Sequence, residues 1–96
     1  MLVRLLDHSG ELLEPSVEAR LDRAFPEFDD LTYPYLRLID PYSHTTFNEL
    51  QMVAVVPELE RRQRELGSVS ALLESVLKLA RICSESPQTF LVFDGD

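Results

Sequence analysis

Residues 68–83 read SVSALLESVLKLARIC, and this stretch decides the fold class. Its apolar side chains recur at intervals of three and four residues, which is the spacing of one helix face. Ser68 can cap the free amides at the start of such a helix, and Pro87 stops it beyond its end. The stretch predicts an amphipathic helix with one buried stripe: Val69, Leu72, Leu73, Val76, Leu79, Ala80 and Cys83.

A strand and a second helix are predicted on either side of this element. Residues 89–93, TFLVF, are apolar on both alternating faces, which is typical of a central strand that is covered on both sides. Residues 54–66 are predicted to form a helix, and Gly67 supplies its left-handed end. Glu58 and Arg62, four residues apart, are expected to pair on its surface.

The start of this second predicted helix has an alternative near Phe47. Residues 46–49, TFNE, match a capping box. A start there would place Pro57 in the third turn, at a cost of roughly 3 kcal/mol. A start near Ala54 places Pro57 in the first turn, where its missing amide hydrogen matters little. We therefore predict the later start.

The N-terminal part of the chain is predicted to add a hairpin and a helix. Residues 2–6 are apolar, and the turn formers at residues 7–10 separate them from a brief return strand at residues 11–13. The pair Pro-Ser at residues 15–16 then favours a helix start. Four apolar side chains continue this helix on one face until Pro26 ends it: Val17, Leu21, Ala24 and Phe25.

A second hairpin is predicted in the middle of the chain. Residues 33–39, YPYLRLI, have strand composition, residues 40–43 favour a turn, and residues 45–47 return as a strand. The element order is then ββαββααβ. We predict a single α+β domain over residues 1–96, with a small antiparallel or mixed sheet of about three to five strands. A C-terminal helical hairpin and one N-terminal helix are expected to pack on this sheet.

The charge and cysteine content of the chain indicate which partners and which cellular compartment to expect. The chain has 9 Lys and Arg against 17 Asp and Glu, a formal net charge of -8. Such a surface repels phosphates and anionic lipid headgroups, so neither nucleic acid nor a membrane is expected as a partner. The single cysteine, and the lack of a signal-peptide pattern, favour the cytoplasm. The charge either keeps the chain soluble or steers it towards a basic protein.

Sequence motifs for catalysis and for cofactor binding are absent. There is no GxSxG, CxxC or HExxH pattern, and no glycine-rich loop for a phosphate. Asp40 and His44 are an acid and an imidazole on one predicted loop, as in general-base catalysis, but no nucleophile or oxyanion hole accompanies them. The simpler interpretation is that Asp40 stabilises its own turn. No catalytic or cofactor-binding residue, and no cofactor, is therefore predicted.

Three aspartates each follow a predicted strand: Asp7, Asp40 and Asp94. Parallel strands would gather them at one edge, where they could bind a hard cation. Counting chain reversals makes the strand at residues 33–39 antiparallel to the last strand, so Asp94 is expected at the opposite end from Asp40. This argues against a metal site, and no metal-binding residue is predicted.

A candidate interaction patch surrounds the second predicted hairpin: Tyr33, Tyr35, Asp40, Tyr42, His44 and Asn48. Tyrosine is favoured at interfaces because it buries a large rigid ring while its hydroxyl keeps a hydrogen-bond partner. Strand alternation places Tyr35, Arg37 and Ile39 on one face. That face is either open to a partner or covered by the predicted N-terminal helix.

These patterns favour a small non-catalytic protein-interaction module of a bacterial-type cytoplasm. It would bind a protein partner, with a basic partner as the charged version of this hypothesis, or associate with itself as a homodimer. An immunity or inhibitor protein for a basic toxin is one specific form, and a regulatory protein is another. The alternatives are a structural homodimer subunit that buries the tyrosine face, and an enzyme that uses Asp40 and His44 as an acid-base pair.

Overall fold

The computed structural model describes residues 1–18, 24–67 and 71–95, and it shows an antiparallel sheet packed against two helices. The strands are β1 (Leu2–Leu6), β2 (Val17–Glu18), β3 (His44–Asn48) and β4 (Phe90–Asp94), in the spatial order β2-β1-β4-β3. The helices are α1 (Met52–Glu65) and α2 (Ala71–Glu85). The predicted α+β class is confirmed, although the element order differs in detail from ββαββααβ.

The sheet buries one of its faces against the helices. β4 lies between β1 and β3, so its predicted central position is confirmed. Because side chains alternate along a strand, the register brings five apolar side chains to the same face. All five are in the hydrophobic core: Val3, Leu5, Phe47, Leu91 and Phe93. On the other face, Val92 lies between its cross-strand neighbours Arg4 and Thr46, outside the core cluster.

Helix α2 buries the stripe that its sequence predicts. The buried side chains on it include Leu73, Val76, Leu79, Ala80 and Cys83. The predicted cap Ser68 and the first stripe residue, Val69, lie outside the described residues. Cys83 is a core residue, as expected, and burial raises the pKa of its thiol.

Helix α1 begins two residues before the predicted start at Ala54. A short 3₁₀ turn over Glu49–Gln51 leads into it, and Asn48 caps this turn. The Asn48 side chain accepts the Gln51 amide hydrogen, and the Gln51 side chain accepts the Asn48 amide hydrogen, which makes a capping box two residues later than TFNE.

Pro57 consequently lies inside α1, although proline is unfavourable in the interior of a helix. Proline offers no amide hydrogen to the carbonyl four residues earlier, which belongs to Val53. Pro57 and Val53 both lie on the exposed side of the helix, where water can reach that carbonyl. At the other end Gly67 has φ 69°, which confirms its predicted left-handed conformation. Within the described residues, neither helix has the length and apolarity that a membrane crossing requires.

The predicted N-terminal helix is wrong at its start. Val17 and Glu18 form β2 and pair with Val3 and Leu2 at the edge of the sheet. Val17 is β-branched, and pairing with β1 gives its backbone the partners that a frayed first helical turn lacks. Residues 19–23 lie outside the described residues, and residues 24–25 form a bend rather than a helix.

The first predicted turn is present, but its return strand is reduced. Gly10 has φ 87° and donates its amide hydrogen to the Asp7 carbonyl, as a turn at residues 7–10 requires. After the turn only Leu12 bridges to Leu6.

The predicted second hairpin is wrong in its first strand. Residues 33–39 contain a 3₁₀ turn at Leu36–Leu38 in place of a strand, and the neighbour of β3 is β4. The physical reason is a carboxylate from α1: Glu58 accepts the amide hydrogens of Tyr35 and Leu36, which a strand would have offered to a neighbouring strand.

Candidate interaction site

Residues 24–43 form a long irregular stretch, here called the anchored segment, before β3. Four of its side chains are buried in the core: Phe25, Tyr33, Leu36 and Ile39. Three others are mostly exposed, Phe28 at 69%, Leu31 at 75% and Tyr42 at 83%. Irregular stretches longer than about 15 residues are usually functional or disordered. This one is fixed at several points along its length, which makes it a candidate site.

Glu58 is the most buried of the polar anchors. Its side chain is part of α1, and the residue is only 8% exposed. Oε1 lies 3.1 Å from the Tyr35 amide nitrogen and 3.0 Å from the Leu36 amide nitrogen. A buried carboxylate is stable only with such partners, and these amides begin the 3₁₀ turn. The carboxylate therefore joins the anchored segment to α1, and the expected surface pair with Arg62 is not its role.

Two arginines of α1 bind the backbone of the anchored segment. Arg61 donates to the Thr32 carbonyl at 2.7 Å and to the Thr32 hydroxyl at 2.8 Å. Its guanidinium carbon lies 4.0 Å from the centre of the Tyr33 ring, a cation–π geometry. Arg62 donates from Nε to the Ala24 carbonyl at 3.1 Å. Both side chains donate hydrogen bonds to main-chain oxygens of the anchored segment, and these bonds fix the path of its backbone.

Tyr33 connects the anchored segment to the last turn of α1. Its hydroxyl donates a hydrogen bond to Glu65. Burial, and then the hydrogen bond to Glu65, raise the pKa of Tyr33 to about 12. The same bond lowers the pKa of the Glu65 carboxyl. A protonated phenol and an ionised carboxylate are therefore the stable pair at neutral pH.

The predicted interaction patch divides into structural and exposed residues. Tyr33 is 1% exposed, Tyr35 packs its ring edge against Phe47 with centroids 6.1 Å apart, and Asn48 caps the 3₁₀ turn before α1. The remaining three are exposed: Asp40, Tyr42 and His44. The structure thus does not bring all six together on one surface, and whether the exposed three contact a partner stays a prediction.

The acid next to His44 is Asp94, not Asp40. His44 Nδ1 contacts Asp94 Oδ1, and Arg4 Nη2 lies 2.9 Å from Asp94 Oδ2. These three residues occupy adjacent strands of the sheet and form a cross-strand cluster around the Asp94 carboxylate. The Asp40 carboxylate instead accepts the amide hydrogen of Tyr42, as the simpler interpretation of this turn expected.

The expected separation of Asp40 and Asp94 is wrong. The Gly95 amide hydrogen donates to the Ser43 carbonyl at 2.7 Å, and a Cβ on Gly95 would lie 2.6 Å from the Asp40 carbonyl oxygen. The reversal count failed because residues 33–39 are not a strand. Asp7, at the far end of β1, is distant from both in register. Within residues 1–18, 24–67 and 71–95, no group of three or more His, Cys, Asp or Glu is arranged for a metal ion.

A second exposed apolar surface lies on the start of α1 and the 3₁₀ turn before it and is here called the α1 face: Leu50, Val53, Val56 and Pro57. Leu50 is 76% exposed and Val53 82%. The charged neighbours of this face have partners of their own. Glu49 accepts the Gln88 amide hydrogen at 2.6 Å, and Glu60 pairs with Arg81 at 3.2 Å.

Sequence reasoning missed Phe28, Leu31 and Glu58 as site residues. The available signal for the first two was the acidic stretch FPEFDDL over residues 25–31, which alternates large apolar and acidic side chains. For Glu58 there was no local signal, because its partners are more than twenty residues away in sequence. The chain matches no known family model and no curated protein, and its fold matches no solved structure.

Proposed function

We propose that this protein is a non-catalytic protein-interaction module that acts in the cytoplasm by binding a basic protein. One observation supports it most directly: the anchored segment is fixed by α1 while Phe28, Leu31 and Tyr42 stay exposed. Burying apolar surface on binding contributes about 25 cal/mol per Å². A segment that is already ordered keeps more of that contribution, because less conformational freedom is lost.

The net charge of -8 supports a basic partner over a neutral one. An acidic surface attracts a basic protein over distances of about 10 Å at ordinary ionic strength, which raises the association rate. An inhibitor of a basic toxin and a regulatory subunit of a basic enzyme are both specific forms of this proposal. In both forms the protein would act by binding its partner and would carry out no reaction of its own.

Reconstitution with a purified partner tests the proposal. Proteins captured on the immobilised chain from its native extract are identified, produced separately and titrated by calorimetry. We expect saturable one-site binding to a basic protein, with a Kd that rises with NaCl concentration. Loss of all binding once the captured proteins are pure would contradict the proposal, as would an affinity that is independent of salt.

A homodimer is the second candidate, and the α1 face favours it. Two acidic copies repel each other, so self-association requires a surface where charges are few or already paired. The α1 face carries few charges: Glu49 is the only ionisable side chain among the described residues that line it, and Glu60, one helical turn beyond Pro57, is paired with Arg81. Sedimentation velocity at low micromolar concentration should then show a dimer that Val53→Asp dissociates. A monomer in that experiment excludes the dimer.

A further inference from the structure

The tip of the anchored segment, residues 27–31, combines exposed apolar and acidic side chains. Phe28 and Leu31 are both largely exposed, and the sequence between and before them is acidic: Glu27, Asp29 and Asp30. The two side chains are three residues apart, and each keeps most of its surface in water. The tip is therefore the most concentrated apolar feature of the segment, and its conformation decides whether it can act as a binding element.

Hydrogen bonds from both sides fix the conformation of the tip. Within it, the Asp30 amide donates to the Glu27 carbonyl at 3.0 Å. At its end, the Asp30 carboxylate accepts the Thr32 amide hydrogen at 3.1 Å and a second hydrogen bond from the Thr32 hydroxyl. The bond from the hydroxyl is the main cause of the lowered pKa of Asp30. From the core side, Arg37 donates to the Phe28 carbonyl at 3.0 Å and lies 5.1 Å from the ring centre. The exposed side chains are thus presented by an ordered backbone.

The charge arrangement of the tip identifies the kind of partner. Arg37 and Arg61 donate hydrogen bonds to the main-chain oxygens of residues 28 and 32. Asp30 is engaged by Thr32, whereas in the described part of the chain Glu27 and Asp29 form no ion pair. Glu27 and Asp29 are exposed and flank Phe28 in sequence, and together with Asp30 they outnumber the Arg37 guanidinium beside the Phe28 ring, so the tip is net negative. A surface with lysine or arginine around an apolar recess is complementary to it.

A second copy of this chain is a poor occupant for the tip. A two-fold interface centred on it would bring Glu27 and Asp29 of both copies together, and like charges in contact oppose association. Nucleic acid and anionic lipid are excluded by the same repulsion. The tip thus differs from the α1 face, where Glu49 is the acidic neighbour and Glu60 is paired with Arg81.

We propose that residues 27–31 are the recognition element of this protein: Phe28 and Leu31 enter an apolar recess of the partner, while Glu27 and Asp29 pair with lysine or arginine at its rim. This inference rests on the proposed function, because it names the site and the partner chemistry of the same interaction. Anchoring by Arg37 and Arg61 keeps the two side chains outward before the partner arrives. The preformed shape reduces the entropy lost on binding.

The experiment uses the full ¹⁵N-labelled chain and a synthetic dodecapeptide that contains two central leucines between lysines and arginines. Two control peptides replace either the leucines with serine or the basic residues with glutamine. We expect saturable amide shift changes at residues 27–33 with the first peptide and much smaller ones with either control. Raising NaCl from about 50 to about 300 mM should weaken binding at least about 10-fold.

Matched variants assign the binding to a surface. Phe28→Ser with Leu31→Ser should weaken binding about 10-fold or more, with the remaining amide spectrum unchanged because both side chains are exposed. Leu50→Ser with Val53→Ser removes equally exposed side chains from the α1 face and should leave the affinity unchanged. Glu27→Gln with Asp29→Asn should weaken binding and reduce its dependence on salt.

The outcomes separate this inference from the proposed function. Shifts at residues 50–57 that the α1-face variant abolishes would overturn the tip as recognition element and leave a protein-interaction module intact. Binding that survives the tip variant has the same consequence. If the peptide binds at neither surface and no purified basic protein binds the chain, both the inference and the proposed function fail.

Discussion

The anchored segment and the helical hairpin of α1 and α2 both bury apolar side chains in the core, but their backbones are hydrogen-bonded in different ways. The hairpin uses apolar stripes and the repeating hydrogen bonds of helices. The anchored segment has one 3₁₀ turn, and its amides and carbonyls are bound by side chains of α1, namely Glu58, Arg61 and Arg62. Charged side chains of a helix can therefore hold the backbone of an irregular segment that packs against it.

The largest effect is expected from truncating the hairpin core. Leu73→Ala removes a fully buried side chain of α2 and should lower the free energy of unfolding by about 3 kcal/mol, through lost burial and the cavity left behind. Urea denaturation followed by circular dichroism measures it, with exposed Lys78→Ala as the control. A loss below about 1 kcal/mol would contradict the role of the hairpin as the stabilising unit.

A smaller and more local effect is expected at Glu58. Glu58→Ala leaves the amides of Tyr35 and Leu36 without their acceptor and should lower the free energy of unfolding by about 2 kcal/mol. Hydrogen exchange should accelerate first at residues 33–39, whereas the amides of α2 should respond only to the global loss. Glu60→Ala, which removes an exposed ion pair, is the control and should cost less than about 1 kcal/mol. Equal acceleration across both regions would remove the distinction between them.

Gly95 tests how the far end of the anchored segment is fixed. In Gly95→Ala the new Cβ would lie 2.6 Å from the carbonyl oxygens of Asp40 and Ser43, so the turn at residues 40–43 must move. We expect a loss of about 1.5 kcal/mol and amide shift changes concentrated at residues 40–45. Gly67→Ala is the contrast: space around it is open and its cost arises from φ 69° alone, so the turn should not respond. An unchanged turn in Gly95→Ala would show that this contact does not hold the segment.

The smallest effect concerns the phenol of Tyr33. Its pKa of about 12 in the folded state exceeds the value of about 10 in an unfolded chain, so the folded state holds the proton more tightly. The stabilisation is fully present below about pH 10 and is lost as the pH rises through about 12. Near-ultraviolet absorbance of a Tyr35→Phe, Tyr42→Phe variant should therefore show ionisation near pH 12. Glu65→Gln should lower this midpoint only in part, because burial is the larger cause. A midpoint near 10 before unfolding would contradict the buried position of Tyr33.

Much of the fold was predictable wherever the pattern is local. The stripe of α2, the apolar run of β4, the turn at residues 7–10 and the left-handed Gly67 are each explained by neighbouring residues, and each was predicted correctly. The start of α1 was missed because the rule against an internal proline ignores which side of the helix is exposed. Pro57 is tolerated because Val53 lies at the solvent.

The anchored segment was not predictable because its determinants are distant in sequence. Residues 33–39 have the composition of a strand, yet the carboxylate of Glu58 takes the hydrogen bonds that a strand requires. Tyr33 is buried in the core beside Arg61 and Glu65 of the same helix, and so it is absent from the surface where its residue type suggested an interface. The backbone around Phe28 and Leu31 is likewise bound by Arg37 and Arg61, which no spacing rule connects to it.

The capping box at Asn48 has a consequence for insertions and deletions. One residue added within α1 after the cap rotates everything beyond it by about 100° around the helix axis. Val55 and Leu59 would leave the core, and Glu58 and Arg61 would turn away from the segment in the same step. The core contacts and the contacts with the anchored segment thus both require the same rotation of α1 about its axis. Length variation between Asn48 and Glu65 should therefore be rejected, whereas the exposed turn at residues 8–10 can vary in length at little cost.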